Sequence, residues 1–424
     1  MINKESAFKQ TPLKKIIFLF LSFMLIVSIS WLSFSANIFG ETSDEVKITA
    51  ESALVIDFET GNILYEKNSN KKIFPASTTK MLTAIVAIEN ISDYSEVVKI
   101  SKNASGRNHS AFKFNEGDKI SLMDLLKASL ICSHNNATVA LAEYVCGNVE
   151  DFVKMMNLKA KEIGAVSSNF ENTNGLDSEY PNHKTTACDL ALIAKYCLSN
   201  DLFRQIVNTQ KDYIHINGKE IEIKSTNDLL SYDYIGGVKT GYTENAGFCI
   251  VLYSDKNDLE LITVVFGCSS VEDRKNDSMR LLNWAYDNFD YVNIVDSSKV
   301  YKTINIGDQT KVYVDLYPDS DFTKLININS DEISLKHDID DDIKLPVLKN
   351  QVLGALDVYI NDNKQADIRL ISKDAIEKPY VYQKIDNNKE LQSRKMLFFL
   401  LVFYFFVFTF IIVKNLFVNR NQYT

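Results

Sequence analysis

The sequence lacks several patterns that would assign it to common protein classes. Its six cysteines include no C-x-x-C pair, which excludes the usual zinc-finger and thioredoxin-type sites. Only 46 basic residues face 55 acidic ones, and a net charge of −9 with five histidines excludes a general nucleic-acid binder. No internal repeat is visible, and the acidic run at residues 340–342 lacks the spaced ligands and glycine of an EF-hand. We therefore expect no cofactor, no metal and no nucleic-acid partner.

Two long apolar blocks lie near the ends of the 424-residue chain. Residues 16–32 are uninterruptedly apolar and follow Lys14 and Lys15, which is typical of an export signal. Small residues up to Ala36 allow cleavage there, and the block is also long enough to remain as an anchor, so both alternatives stay open. Residues 396–413 carry no charge and would form a helix about 27 Å long, close to the hydrocarbon thickness of a membrane.

The orientation of this second block follows from the first. Basic residues flank residues 396–413 on both sides, so charge asymmetry alone does not orient the helix. If the N-terminal signal exports the middle of the chain, residues 414–424 must lie in the cytoplasm. A buried core helix is the alternative, which the unbroken aromatic-rich hydrophobicity disfavours. The chain is therefore predicted to be tethered to the cell membrane with its working part extracytoplasmic.

Between these blocks the hydrophobic pattern predicts one mixed domain and one β domain. Residues 53–58 and 63–65 form a predicted hairpin around a glycine turn, and residues 78–89 are apolar nearly all round, as in a buried helix. Further helices are predicted at 122–131, 137–145, 151–163, 186–198 and 274–289, and strands at 248–253 and 259–266. The predicted parts are a signal peptide or signal anchor (1–40), a catalytic domain (46–292), a β-rich domain (300–375), a linker or stalk (376–395), a transmembrane helix (396–413) and a tail (414–424).

A possible nucleophile and its base stand at the head of the buried helix. Ser77 and Lys80 are three residues apart, so a helix places them on one face. A serine needs a base, and a lysine serves as one only when burial or a neighbouring cation lowers its pKa. The S-x-x-K pattern alone is weak because it also occurs at Ser6, Ser69 and Ser110. Only the copy at Ser77 opens a buried helix.

Two further motifs carry polar side chains. Ser133-His134-Asn135 lies between two predicted helices, where it could point into a cleft or simply cap the second helix. Lys239-Thr240-Gly241 occurs once and is followed by Tyr242 and a strand. A lysine and a hydroxyl side by side on a strand, with glycine allowing close approach, make a carboxylate receptor, whereas the alternative is an ordinary exposed hairpin.

S-x-x-K, S-x-N and K-T-G in this order resemble the signature of penicillin-binding proteins and serine β-lactamases. The similarity extends to Asp57, Thr60-Gly61 and Asn68 and to the segments 156–157, 170, 174–176 and 185–190, which resemble the D-alanyl-D-alanine carboxypeptidase family, peptidase S11. The resemblance implies an α/β (α+β) transpeptidase fold, with an antiparallel sheet flanked by helices, plus a small all-β C-terminal domain. It covers most of the chain between the apolar blocks.

The resemblance also implies an activity and residue roles. The expected enzyme is a serine-type D-Ala-D-Ala carboxypeptidase that trims peptidoglycan stem pentapeptides and is acylated by β-lactams. Ser77 would be the nucleophile, Lys80 its base and Ser133 a proton relay. Asn135 would hold the substrate amide, Lys239 and Thr240 the terminal carboxylate, and the backbone N–H groups of Ser77 and Tyr242 would form the oxyanion hole, with Gly241 beside them. His134 and Tyr242 depart from common family residues at the rim of the cleft.

Competing functions remain open at this point. A class A β-lactamase shares the motifs but needs a glutamate set for deacylation, and no convincing Glu-x-x-Leu-Asn lies between Asn135 and Lys239. A β-lactam sensor or muropeptide-binding protein would be acylated without turnover, although few residues follow the second apolar block. The six cysteines are interpreted as buried small hydrophobes, with disulfides as the alternative that export allows.

Overall fold

The computed structural model describes residues 46–106, 110–306, 311–378 and 380–420. The predicted signal or anchor at residues 1–40 lies outside these ranges, as do the last four residues of the predicted tail. The chain divides into two compact units, Met1–Ala285 and Tyr286–Thr424, and each is described by itself.

An antiparallel five-stranded sheet forms the centre of the first unit. Its spatial order is β2-β1-β9-β8-β7, so strand β7 lies at one edge. The predicted hairpin is confirmed, since β1 pairs with β2 around a turn in which Asp57 accepts hydrogen bonds from Thr60. The strands of this unit are β1 (Ser52–Asp57), β2 (Ile63–Lys67), β3 (Val97–Lys99), β4 (Lys119–Ser121), β5 (Lys211–Ile216), β6 (Lys219–Lys224), β7 (Ile235–Thr243), β8 (Gly247–Lys256) and β9 (Leu259–Cys268).

Helix α1 (Thr79–Asn90) is the predicted buried helix, and its side chains are buried from Thr79 to Ile88. It begins one residue later than predicted because a 3₁₀ turn, Ala76–Thr78, precedes it. The other predicted helices are confirmed to within a few residues. They are α2 (Leu122–Leu130), α3 (Asn135–Cys146), α4 (Val149–Ile163), α5 (Ala187–Leu198) and α7 (Val271–Asn288), and α6 (Asp201–Val207) is additional.

Side-chain caps fix where these helices begin. Ser121, Asn148 and Thr186 each accept a hydrogen bond from the backbone N–H three residues ahead, which satisfies a donor that the first helical turn leaves free. Gly147 and Gly164 end α3 and α4 with positive φ angles, a conformation in which glycine has no Cβ to clash. These caps therefore define the starts of α2, α4 and α5 and the ends of α3 and α4.

The second unit contains the predicted β domain. Its larger sheet has the order β11-β12-β16-β15-β14, and β10 pairs with β13 separately. Strand β10 lies before residue 300, so the β structure begins earlier than predicted. A small apolar core includes Val314, Leu356 and Leu370. The strands are β10 (Phe289–Val295), β11 (Lys302–Asn305), β12 (Tyr313–Pro318), β13 (Phe322–Asn327), β14 (Ile333–Ile339), β15 (Val352–Ile360) and β16 (Asn363–Ser372).

One long helix, α8 (Tyr380–Arg420), ends the described chain. Its segment Asn387–Ile412 is long and apolar enough to cross a membrane by length and composition. Most of the predicted linker at 376–395 is therefore helical and continuous with the predicted transmembrane helix. The sequence did not predict a helix in this linker, because its polar residues leave no apolar stripe that would pack on a core. The apolar helix fits a membrane anchor.

Candidate active site

The turn Ala76–Thr78, called the nucleophile turn here after the predicted role of Ser77, places Ser77 and Lys80 in direct contact. The 3₁₀ turn leads into α1, and Nζ of Lys80 lies 2.7 Å from Oγ of Ser77. Nζ also donates a hydrogen bond of 2.9 Å to the backbone oxygen of Asn174. The Lys80 side chain is fully buried, whereas Ser77 is partly exposed, so their contact lies at the edge of the accessible surface. This arrangement can hold the hydroxyl proton of Ser77 between the two side chains.

An unusual backbone conformation precedes Ser77. Ala76 has a φ of 47°, a region that non-glycine residues rarely occupy and that surrounding contacts must hold. Gly175 packs against it so closely that a Cβ on Gly175 would lie 1.7 Å from the Ala76 oxygen. The same oxygen accepts a 2.8 Å hydrogen bond from Oγ1 of Thr79. The loop around Gly175 therefore packs directly on the nucleophile turn. The sequence around Gly175 does not predict this contact.

Two buried lysines determine the electrostatics of the site. Burial lowers the pKa of Lys80 well below its ordinary value, and the charge of Lys239 lowers it further. Burial also lowers the pKa of Lys239 to about 7. A lysine whose ammonium form is disfavoured can accept a proton near neutral pH. Lys80 is thus suited to act as a base for Ser77.

The S-x-N motif connects α2 to α3. His134 caps α3 through a 3.3 Å hydrogen bond from Ala137 N–H to its Nδ1, so the capping interpretation applies to the histidine rather than to the serine. Asn135 donates its backbone N–H to Oγ of Ser110 at 2.9 Å. Cys132, directly before Ser133, interacts electrostatically with both Lys80 and Lys239. The motif therefore lies beside the two lysines.

His134 is buried against two aromatic rings. Its ring centroid is 4.2 Å from that of Phe114 and 4.5 Å from that of Phe112. Burial lowers the pKa of His134 to about 4, so the imidazole is neutral near pH 7. The imidazole of His134 fills the space between the S-x-N motif and the segment that contains Phe112 and Phe114. A small residue would leave this space empty.

The K-T-G motif lies on the edge strand β7. Gly241 passes so close to Ser77 that a Cβ there would lie 3.0 Å from the backbone nitrogen of Ser77. Thr240 is buried and its Oγ1 lies 2.6 Å from Oγ1 of Thr226. Tyr242 is 54% exposed and stacks on Phe248, with ring centroids 4.3 Å apart. The motif is thus part of the sheet and reaches the site, unlike an exposed hairpin.

Sequence reasoning missed several residues of this site. Arg274 is almost fully buried on α7, interacts electrostatically with Lys239 and has no partner for its Nε among the described residues. Asp177 accepts hydrogen bonds from Thr243 at 2.6 Å and from Asn245 at 3.3 Å, just beyond the K-T-G motif. Nothing local in the sequence distinguishes Arg274 or Asp177, because their partners lie in segments that are distant along the chain.

All six cysteines are free thiols in the structure. Cys197, Cys249 and Cys268 are buried, and Cys132, Cys146 and Cys188 are partly buried. Burial raises the pKa of Cys132 to about 11 and that of Cys249 to about 12, which suppresses thiolate formation. Among the described residues, no group of three or more His, Cys, Asp or Glu side chains could hold a metal ion.

Comparison with known proteins identifies the class to which this fold and site belong. The chain matches the family model described as D-alanyl-D-alanine carboxypeptidase, peptidase S11, over residues 39–270. It matches the model described as penicillin-binding protein 5, C-terminal domain, over residues 289–378. The matched models and the related structures below define a penicillin-binding protein with the predicted fold. The chain belongs to the peptidase S11 family of D-alanyl-D-alanine carboxypeptidases.

Individual relatives agree with this assignment. D-alanyl-D-alanine carboxypeptidase DacF of Bacillus subtilis is 30% identical over 84% of this chain and 94% of its own length. DacA of Haemophilus influenzae is 31% identical over 77% and 84% of the two chains. Both the predicted family and the predicted enzyme class, a D-Ala-D-Ala carboxypeptidase of the cell wall, are confirmed.

Solved structures show the same fold. Penicillin-binding protein 5 from Haemophilus influenzae has a TM-score of 0.59 at 27% identity and covers 79% of this chain and all of its own. Penicillin-binding protein 6B from Escherichia coli has a TM-score of 0.59 at 26% identity, over 78% and 98% of the chains. Penicillin-binding protein D2 from Listeria monocytogenes, in an ampicillin-bound form, has a TM-score of 0.52 at 26% identity, over 57% and 100%.

Proposed function

We propose that this protein removes the terminal D-alanine from peptidoglycan stem pentapeptides through an acyl-enzyme on Ser77. The observation that carries the proposal is the 2.7 Å contact between Oγ of Ser77 and Nζ of the buried Lys80. Strand β7 passes beside Ser77 at Gly241, where the lack of a Cβ lets the strand approach the backbone nitrogen of Ser77 closely. The membership of the peptidase S11 family supports the substrate class.

The first half of the reaction would form an ester. Lys80 takes the proton of the Ser77 hydroxyl as Oγ attacks the carbonyl carbon of the penultimate D-alanine. The oxyanion is stabilised by the backbone N–H groups of Ser77 and Tyr242, each worth about 3 kcal/mol in such sites. As the C–N bond breaks, Ser133 passes a proton to the leaving amine, and D-alanine departs. Water then hydrolyses the ester and restores Ser77.

Substrate binding would depend on the edge strand and the S-x-N loop. Lys239 and Thr240 receive the terminal carboxylate, and the side chain of Asn135 holds the substrate amide. Arg274 adds a second buried basic side chain, which interacts electrostatically with Lys239. Carboxylates gain most from charged donors that are already desolvated and fixed. A cluster of this kind can select a free C-terminus in an otherwise acidic protein.

β-Lactams would acylate Ser77 by the same route. The ring amide replaces the substrate peptide bond and its carboxylate occupies the receptor of Lys239 and Thr240. Support comes from the ampicillin-bound form of the similar Listeria protein. Helix α8 would anchor the chain so that the proposed catalytic domain (46–292) and β-rich domain (300–375) face outwards. Residues 376–395 would form the stalk and 414–424 the cytoplasmic tail.

The experiment incubates the full-length protein in detergent with a fluorescent penicillin and, separately, with a D-Ala-D-Ala peptide. Wild type is expected to be labelled and to release D-alanine, and Ser77→Ala to do neither. Ser69→Ala is the matched control, because Ser69 begins another S-x-x-K copy, and it should behave as wild type. D-alanine release by Ser77→Ala contradicts the proposal. Label without D-alanine release would indicate a sensor, and rapid penicillin turnover a β-lactamase.

A further inference from the structure

A buried histidine outside the three motifs contacts the nucleophile turn. His183 is fully buried, with its ring edge-on to Phe170 at 5.6 Å. Its Nδ1 lies 2.9 Å from the backbone nitrogen of Glu171. A backbone N–H only donates, so Nδ1 is the acceptor and the proton of the neutral imidazole is on Nε2. The loop thereby fixes the tautomer.

From Nε2 a directed chain of hydrogen bonds leads to Ala76. Nε2 of His183 lies 2.9 Å from Oγ1 of Thr79 and donates its proton to it. Oγ1 of Thr79 in turn lies 2.8 Å from the backbone oxygen of Ala76. A carbonyl oxygen only accepts, so the Thr79 hydroxyl donates to it. All members of the chain are buried, where such bonds strengthen one another.

The end of this chain matters because of peptide planarity. The carbonyl of Ala76 and the N–H of Ser77 belong to one rigid peptide plane, so fixing the oxygen also fixes the direction of the N–H. That plane needs support, because Ala76 has a positive φ of 47°. The Ser77 N–H is one of the two donors proposed for the oxyanion hole.

We propose that His183 is a positioning residue for the oxyanion hole, acting through Thr79 on the Ala76–Ser77 peptide. This inference rests on the proposed function of Ser77. His183 touches neither substrate nor Ser77 in this account. It holds the carbonyl of Ala76 in place. The Ser77 N–H therefore already points to the position where negative charge develops and does not have to reorient during the reaction.

Two substitutions separate this role from a structural one. His183→Gln places an amide nitrogen near the former Nε2 and can still donate to Thr79, but it loses the bond from Glu171 N–H. His183→Asn places an oxygen near the former Nδ1 and keeps the bond to Glu171, but it cannot reach Thr79. Thr79→Val breaks the chain at its middle with little change of volume, and Thr79→Ser retains the hydroxyl.

The measurement is the second-order rate of penicillin acylation, with kcat and KM for D-alanine release and with Tm as the folding control. A misplaced group costs up to about 100-fold, so His183→Asn and Thr79→Val should each lower acylation about 10- to 100-fold. The loss should fall on kcat rather than KM. His183→Gln and Thr79→Ser should stay within about threefold of wild type. The double variant Thr79→Val/His183→Asn should be no slower than the slower single variant, since both break one chain.

Other outcomes overturn the inference in recognisable ways. If His183→Gln is slower than His183→Asn, the histidine serves the loop and not the nucleophile turn. If His183→Asn acylates as fast as wild type, the chain has no effect on the oxyanion hole. In both cases wild type is still labelled and Ser77→Ala is not, so the proposed function stands. Failure of wild type to be labelled at all would instead overturn the proposed function.

Discussion

Lys80 and Lys239 are two buried lysines whose charges oppose each other at the proposed nucleophile. Burial is the largest cause of the lowered pKa of Lys80, and the charge of Lys239 is the second. In the proposed mechanism the neutral form of Lys80 is the base, so activity should be lost as the pH falls through its pKa. The acidic limb of the pH profile therefore reports the pKa of Lys80, which burial lowers most and the charge of Lys239 lowers further.

Removal of the Lys239 charge should move this acidic limb. Lys239→Gln eliminates the repulsion, so the pKa of Lys80 rises and the limb shifts to higher pH, in addition to a loss of substrate affinity. The measurement is the acylation rate with labelled penicillin as a function of pH. Lys219→Gln, an exposed lysine on β6, should leave the limb in place. A shift to lower pH in Lys239→Gln would contradict this account.

The same lysine should make stability depend on pH. The folded pKa of Lys239 is about 7, below its ordinary value of 10.5, so the folded state binds fewer protons than the unfolded state between these values. Stability therefore rises with pH from about 7, until thiols with raised pKa values begin to oppose it above about 9. Lys239→Met should flatten the rise of Tm between pH 7 and 9. An unchanged slope would show that Lys239 is charged in the folded state.

Gly175→Ala should damage the nucleophile turn, whereas Gly147→Ala should not. Both glycines have positive φ, 90° and 77°, so each alanine variant has a backbone cost of about 1 kcal/mol. Only at Gly175 would the new Cβ overlap the Ala76 oxygen, and nothing lies within 4 Å at Gly147. Gly175→Ala should lose at least about 10-fold in acylation rate. Equal rates in the two variants would argue against a role for the Gly175 loop.

Arg274→Leu should weaken substrate binding without lowering stability. A buried cation with an unpaired Nε is costly, and its replacement by an apolar side chain is neutral or stabilising by about 1 kcal/mol or more. KM for the D-Ala-D-Ala peptide should rise about 10- to 100-fold, because charge-assisted contacts contribute about 1.5–3 kcal/mol. Arg280→Leu, on the same helix but half exposed, should leave KM unchanged. A large fall in Tm with unchanged KM would assign Arg274 to folding instead.

Truncation after Lys378 should release the protein from membranes. The shortened chain keeps the bridge between Val347 and Ile376 and loses α8 with the few residues that flank it. The full chain should stay in the membrane pellet after a carbonate wash, and the truncated chain should be soluble and still bind penicillin if the first apolar block is cleaved. In intact cells stripped of the wall, added protease should degrade the catalytic part, and protection would contradict an extracytoplasmic orientation.

Local sequence patterns predicted most of the helices and the strands β1, β2, β8 and β9, because apolar periodicity and turn residues act over short distances. They did not predict β3 to β6 or α6. The buried helix from Thr79 and the hairpin around Gly61 were predicted nearly to the residue. Strand β10 was not predicted, because it follows directly on the helical pattern that ends at residue 289. The charged stretch of α8 was not predicted as helix either, because it has no core to pack on.

The motifs of the site were visible in the sequence, but their support was not. Ser77 and Lys80 could be singled out because their S-x-x-K spacing, weak by itself, opens a buried helix and is followed by the S-x-N and K-T-G motifs. His183 contacts Thr79, which is 104 positions away in sequence, and Gly175 packs on Ala76. Arg274 interacts with Lys239 on another element. No local sequence pattern predicts such contacts. A histidine that holds a tautomer through Glu171 N–H has the same appearance in a sequence as any buried histidine.

Strand β7 lies at the edge of its sheet, so on the side away from β8 its main chain has no strand neighbour within the described residues. An extended peptide placed there would be recognised by its backbone N–H and C=O groups rather than by its side chains. Binding of this kind depends little on the side chains of the peptide and strongly on its chain direction and chirality. The edge would therefore tolerate chemical variation along the stem while remaining demanding at its D-configured end.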